Sequence, residues 1–420
     1  MKKLFCIIMI AALLLPLAAC AGKGGQEAAP NAEAARDPYE DYNNHYMRWL
    51  GPPIPWAETE DYLFFNRKYL DKNTGDCGYY CSKPECMHND PTCDSYLTVL
   101  GIYDDEIYLF GSVDKQHAGI FTQNIDGSDR KLVRKLGNDE LGNGGVHLHR
   151  GKVYMFFENL TVNNGEPTET LRLTCVDPFS EETRVLLDNR KYPGSTGSWV
   201  FFRGNTAYLL TSGYAPEDAE EHPGCCIWEL WSYDIEKDEM ELTLTSFLPE
   251  GSLRGCWITG EGEIYAMVCK TIEAERPEDW QWSFSLAKLE DGVFTELWEV
   301  PPEKELGNSR VSDGTVITEY ADAFRYNKDV RFRIQDLDGN IIADDRLPFP
   351  NYGEGAKDLT FDRYEVVWAD KTCLWVLIRM ERPIINSDGY QTTQSVASAV
   401  KYDITDGGYA ISFVEPVGLQ

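Results

Sequence analysis

Seven times along this chain, a short apolar run with a bulky residue near its centre is followed, one run later, by a polar turn. The bulky residues are Tyr62 in DYLFFN, Tyr108 in EIYLFG, Tyr154 in KVYMFF, Tyr208 in TAYLLT, Tyr265 in EIYAMV, Ile317 in TVITEY and Trp375 in CLWVLI. Their spacing runs between about 46 and 58 residues. The turns follow at Asp71, Asp126, Asp177, Asp234, Asp291, Asp338 and Asp403, in register with the first series throughout. Gly101–Leu136 shows the unit at its clearest. The run Ile107–Phe110 ends at Gly111, an alternating run Gly119–Ile125 reaches Asp126-Gly127, and a third run covers Leu132–Leu136. Short β-prone runs bounded by Gly and Asp-Gly signals are antiparallel strands joined by hairpins.

A unit of about 50 residues with about four short strands fits one blade of a β-propeller. The expected fold is therefore all-β: a propeller of seven blades, with six or eight also compatible with the period. The first unit is the shortest. Its first strand is expected from Tyr46–Leu50 or from the C-terminus, which would close the ring. Two stacked sandwiches would not impose one period on the whole chain. The segments Ile272–Trp280, broken by Pro277, and Glu217–Gly224 read as loops between strands. Residues 45–420 are read as one domain and as a monomer.

The first 20 residues, MKKLFCIIMIAALLLPLAAC, begin with Lys2 and Lys3 and continue with the apolar stretch Leu4–Leu17. That stretch is short for a bilayer span and fits a signal peptide over residues 1–19. It ends in Leu17-Ala18-Ala19-Cys20, which resembles the lipobox of bacterial lipoproteins. The resemblance implies cleavage before Cys20, a lipid on its thiol, and attachment to the cell membrane on the extracytoplasmic face. Residues 20–44 are small, polar and poor in large apolar side chains, so they read as a flexible tether. The formal net charge of -30 argues against nucleic acid as a partner, because its phosphates would be repelled. It also argues against the body lying on anionic lipid. The lipid on Cys20 is then the membrane contact.

The repeated pattern, such as IYLF…NIDGSDRKLV, resembles that of uncharacterised lipid-anchored β-propeller lipoproteins of Firmicutes, described as TolB-like. The resemblance covers roughly Tyr62 to Val417, and the segment CSKPECMHNDPTC is similar to one found in such proteins. It implies a fold and an address, and no activity.

Ten cysteines remain beyond Cys6 and Cys20. Four crowd into Cys77-x₃-Cys81-x₄-Cys86-Met87-His88-x₄-Cys93, between the first and second units. Three readings are open. Cys81, Cys86, His88 and Cys93 can form a closed Cys₃His site for structural zinc. An exported location favours disulfides within the loop. The thiols can also simply be reduced, as six scattered cysteines in strand patterns suggest. Under the first two readings the cluster staples a loop with little apolar content of its own.

Other chemistry is thinner. His147 and His149 would face the same way on a strand and could share a metal, but the preferred reading is two polar residues on an exposed strand face. Asp336-Leu337-Asp338-Gly339-Asn340 starts like a calcium loop, but Leu347 stands where the closing glutamate belongs, so it reads as a hairpin turn. Acid pairs such as Asp104-Asp105 and Asp344-Asp345 occur without purpose in a chain with 69 acids. No catalytic motif for a nucleophile, phosphate loop or metalloprotease is present. Catalytic residues are therefore unassigned, and no cofactor beyond zinc is implied. The expected role is a non-catalytic module binding protein, peptide or glycan on the ring face. The alternative is an exported glycan hydrolase or lyase using carboxylates at the channel mouth.

Overall fold

The computed structural model describes Trp56–Val417, except residues 59–60, 66–67, 82–84, 87–92, 94–95, 115–116, 138–144, 164–165, 190–196, 215–224, 249–250, 260–261, 273–280, 302, 304–305, 321–327, 354–355, 386–389 and 416. Its strands make seven four-stranded antiparallel sheets, each a simple meander in chain order. Blade 1 holds β1 (Trp56–Glu58), β2 (Tyr62–Phe65), β3 (Lys68–Asp71) and β4 (Cys77–Tyr79). Blade 2 holds β5 (Thr98–Tyr103), β6 (Glu106–Ser112), β7 (Ala118–Asn124) and β8 (Lys131–Leu136). Blade 3 holds β9 (Val146–His149), β10 (Lys152–Asn163), β11 (Glu166–Val176) and β12 (Thr183–Asn189). Blade 4 holds β13 (Gly197–Arg203), β14 (Thr206–Tyr214), β15 (Cys226–Asp234) and β16 (Glu239–Leu248). Blade 5 holds β17 (Ser252–Ile258), β18 (Ile264–Ile272), β19 (Gln281–Glu290) and β20 (Val293–Glu299). Blade 6 holds β21 (Leu306–Ser312), β22 (Thr315–Tyr320), β23 (Arg331–Asp336) and β24 (Ile341–Arg346). Blade 7 holds β25 (Thr360–Ala369), β26 (Cys373–Ile385), β27 (Gln391–Thr405) and β28 (Gly408–Val414). Among the described residues no helix is long and apolar enough to cross a membrane.

The seven bulky markers all fall on the second strand of a blade, and six of the seven turn markers fall at the link from third to fourth strand; the seventh, Asp403, lies inside β27, just before the turn at Asp406-Gly407. Local chemistry explains both. The second strand is buried on both faces, so it reads as an apolar run. The tight turns need residues that tolerate a left-handed backbone. Asp104 and Asp105 have φ of 52° and 62°, and Asp291-Gly292 have 48° and 84°. Two positive φ values in a row match the twist of a two-residue hairpin. In blades 2–7 the pairing of third and fourth strands also carries a register shift, for example between Leu230 and Trp231. Such bulges add local twist.

Gly111 does not end its strand as the sequence pattern suggested. It lies inside β6, opposite Gly119 of β7. A Cβ on Gly111 would sit 2.5 Å from Leu97 Cδ2, so packing against that side chain, rather than a turn, favours glycine there.

The core is divided into seven apolar clusters, each made by two neighbouring blades. Phe64 and Tyr80 of blade 1 meet Ile107 and Leu109 of blade 2. The series continues around the ring. The last cluster joins Trp375 and Leu377 of blade 7 to Leu63 and Phe65 of blade 1, which closes the circle. Polar stitches reinforce the joints. Arg203 Nε donates to the Ile258 carbonyl (3.0 Å), and Tyr409 Oη donates to the Phe332 carbonyl (3.2 Å).

Closure differs from expectation. Blade 1 already has its first strand in Trp56–Glu58, and the C-terminal run forms the fourth strand of blade 7. Neither is exchanged across the seam; Tyr46–Leu50 lies outside the described residues. Side chains hold the seam instead. Lys68 on β3 pairs with Glu415 at 2.9 Å, the two side chains being 12% and 3% exposed. Glu415 Oε2 also accepts from the Ala399 amide (2.8 Å), and its carbonyl accepts from Ser398 Oγ (2.8 Å). Phe413 packs edge-on to Phe65 at 6.0 Å and beside Trp375 at 5.8 Å.

Candidate functional site

The connection from β4 to β5 carries the cysteine cluster. Its base is clamped where buried Tyr80 donates to the Leu97 carbonyl (2.5 Å). Cys81, Cys86 and Cys93 converge there, with all three Sγ atoms within 4.8 Å of one another. Cys93 is buried, while Cys81 and Cys86 keep part of their surface in solvent. Cys77, Cys81, Cys86 and Cys93 form no disulfide in this structure. With Zn–S bonds of about 2.3 Å, a tetrahedron places its sulfurs about 3.8 Å apart, so a small inward shift would seat one ion on all three. The donor set fits a thiophilic metal. Three of the four residues picked out by spacing are thus brought together. The fourth, His88, lies outside the described residues, as does Cys20.

Cys77 stands apart. It is the first residue of β4 and packs into the seam between blades 7 and 1. Burial and the Glu415 carboxylate push its thiol up to about 11, although Lys68 opposes them. The scattered cysteines Cys175, Cys256, Cys269 and Cys373 are buried core residues.

The two histidines of β9 are not on an exposed face, which corrects the simpler sequence reading. His149 is buried, stacks on Phe202 of blade 4 at 4.7 Å, and its Nε2 lies 2.7 Å from the Gly204 carbonyl. His147 leans on the same ring at 6.1 Å, and burial pushes its imidazole down to about 4. Both belong to the joint between blades 3 and 4. Asp336–Asn340 is the turn from β23 to β24. The Asp336 carboxylate accepts from the amides of Asp338 (3.0 Å) and Asn340 (2.8 Å), so it organises the hairpin.

Contacts of β1 with β5, β5 with β9, β13 with β17 and β17 with β21 put these first strands innermost, and β25 holds the same first place in the meander of blade 7. Acids at this inner layer are tied to arginines. Glu365 bonds Arg363 and Arg379, each at 3.0 Å, and Asp362 bonds Arg363 at 2.7 Å. Glu319 of the second strand bonds Arg310 at 2.5 Å. Carboxylates held in this way are structural ion pairs rather than a poised acid and base.

The two faces of the ring differ. In a meander, links between first and second strands and between third and fourth emerge at one end. Links between second and third strands and between blades emerge at the other. The first end has tight, Asp-rich turns. The second has long hairpins, of which β26 and β27, at 13 and 15 residues, are the longest. Exposed large apolar residues occur at both ends: Ile385 (76%), Tyr390 (73%), Ile272, Trp282 and Tyr96 at this one, and Phe179 (62%), Val293 and Ile341 (59% each) at the tight-turn end. Arg254 on β17 lies over the Trp282 ring at 5.6 Å. The spacing of strand runs could have suggested these long hairpins, but nothing local marks which side chains they expose.

No family model matches the chain, and no curated protein matches it either. Solved structures do. One is a prolyl endopeptidase, 8% identical with a TM-score of 0.46, over 87% of this chain and 55% of that one. Another is TolB from Acinetobacter baumannii, 10% identical with a TM-score of 0.32, over 67% of this chain and 58% of that one. A third is a β-fructofuranosidase of Bombyx mori, 10% identical with a TM-score of 0.33, over 76% of this chain and 86% of that one. The chain spans little more than half the length of the first two. Likeness at this level says nothing of activity; the seven-bladed all-β ring rests on the sheets and joints described above.

Proposed function

We propose that this protein is a lipid-anchored, extracytoplasmic binding module that takes a protein, peptide or glycan on its long-hairpin face, without catalysis. The observation that supports this best is the hairpin of β26 and β27, the longest described strands, near whose tip Ile385 and Tyr390 are the most exposed large apolar side chains among the described residues. Exposed apolar side chains gathered among polar ones mark interaction sites. The lipid would sit on Cys20, after the Leu17-Ala18-Ala19-Cys20 box, with residues 20–44 as the tether. Cys81, Cys86 and Cys93, with His88 as fourth ligand, would hold a structural zinc ion that fixes the first interblade connection. The glycan-enzyme reading draws less support, because the inner-layer acids are paired with arginines.

The test is a glycan and peptide array probed with the Cys20→Ser protein, with Trp282→Ala and Tyr390→Ala as controls. Binding that either control weakens at least tenfold supports the reading. Equal binding by all three moves the site off this face, and product release from a bound glycan would favour the enzyme.

A further inference from the structure

We infer that the three-cysteine centre is redox-gated: when its ion leaves, Cys81 and Cys86 close to a disulfide and Cys93 stays a thiol. This rests on the metal reading above and adds a regulation to it.

Three observations point this way. The sulfurs lie within 4.8 Å of one another, and an S–S bond of about 2.05 Å needs a shift of only about 2–3 Å. Access separates them, since Cys81 and Cys86 are partly open while Cys93 is 3% exposed. Exchange begins where a thiolate can reach an external disulfide, so it begins at Cys81 or Cys86. Cys93 is also held in place, its carbonyl accepting from the Tyr96 amide (3.0 Å). The clamp from Tyr80 to Leu97 isolates the loop from blades 1 and 2, so the sulfurs can change chemistry without opening the ring.

The step balances with a small-molecule disulfide as oxidant. One thiolate of the pair attacks it, forming a mixed disulfide and expelling one small thiolate. The second thiolate attacks the protein sulfur of that bond and expels the other. Two protein thiols give up two electrons, one S–S bond is exchanged for another, and the ion leaves as it loses two of its ligands. Cys175, Cys256, Cys269 and Cys373 are poor rivals: they are buried, and burial pushes Cys373 up to about 12, further from the thiolate that reacts. Cys77 and Cys225 keep part of their surface but lie outside the cluster of three sulfurs.

The experiment uses the full chain purified without oxygen. Metal is measured by mass spectrometry, then glutathione disulfide is added while a chromophoric chelator reports ion release and peptide mapping reports bonds. The expected result is one thiophilic ion per chain, released in step with two thiols, and a Cys81–Cys86 bond. Cys93 should react with alkylating agent only after unfolding. Cys93→Ser should still form the bond but hold the ion at least tenfold more weakly, and its melting curve checks that it folds. A disulfide that includes Cys93, oxidation with the ion retained, or a bound ion with all three thiols untouched overturns the gate. A chain that neither carries nor takes up a thiophilic metal overturns the metal reading itself.

Discussion

Removing Glu415 should open the ring at its seam. Its carboxylate is 3% exposed and meets two donors, the Lys68 ammonium at 2.9 Å and the Ala399 amide at 2.8 Å. Truncation to alanine strands a buried ammonium and a buried amide together. Breaking such a pair from one side costs about 3–5 kcal/mol. An unfolding entropy of about 2.1 cal/mol/K per residue over roughly 360 residues converts this into a melting point lower by roughly 4–7 °C. The double change Lys68→Met with Glu415→Leu should recover most of the loss, because apolar replacements of similar shape remove both charges together. Alkali supplies an independent check. Burial lowers the Lys68 pKa, but the charge and hydrogen bond of Glu415 outweigh it and hold the ammonium above its ordinary value. The folded state then binds the proton more tightly than the unfolded state does. The pair's contribution is complete below the ordinary lysine pKa and is lost only as pH rises through the raised one. Calorimetry of the three proteins at neutral pH is the assay. A Glu415→Ala protein melting within about 1 °C of its parent, or a double variant no more stable than Glu415→Ala, would refute the argument.

Cys86→Ser should destabilise the fold by a few kcal/mol, and a chelator should lower the melting point of the parent but not of this variant. Cys373→Ala, a small cavity at the seam, should cost less and leave the chelator effect intact. His147 is held neutral by burial, so the fold binds fewer protons than the unfolded chain between pH 6.5 and about 4. Stability should be complete above that window and fall with pH inside it, by about 3 kcal/mol at most and less for a residue that keeps part of its surface. His147→Gln should flatten the slope from pH 6.5 to 5 in urea titrations, and an unchanged slope would count against this origin. Cys20→Ser should abolish incorporation of a labelled fatty acid and release the protein from membranes; equal label in both proteins would rule out the lipid site.

The blades were legible because their signals are local. A doubly buried second strand is an apolar run wherever it occurs, and a left-handed turn selects Asp and Gly whatever lies around it, as at Asp291-Gly292. The convergence of Cys81, Cys86 and Cys93 was legible for the same reason, since a short loop cannot carry them far apart. Long-range facts left no such trace. The pairing of Lys68 with Glu415 joins residues far apart in the chain, and a lone lysine and glutamate among so many charges carry no signature. β1 is only three residues long, too short to show alternation. His147 and His149 look polar in sequence, yet Phe202, from the next blade, provides the surface they pack on.

A ring whose every blade is cut from one uninterrupted stretch of chain is modular along the sequence as well as in space. Where a terminal strand is swapped across the seam, gaining or losing a unit must leave that shared sheet intact. Here the unit of inheritance coincides with the unit of structure, so duplication of a single stretch from one interblade link to the next delivers a complete blade. The same property makes the starting point of the chain arbitrary. Joining the neighbourhood of Val414 to that of Trp56 by a short linker and reopening the chain at another interblade link should yield a permuted protein with the same seven sheets, provided Lys68 and Glu415 still meet.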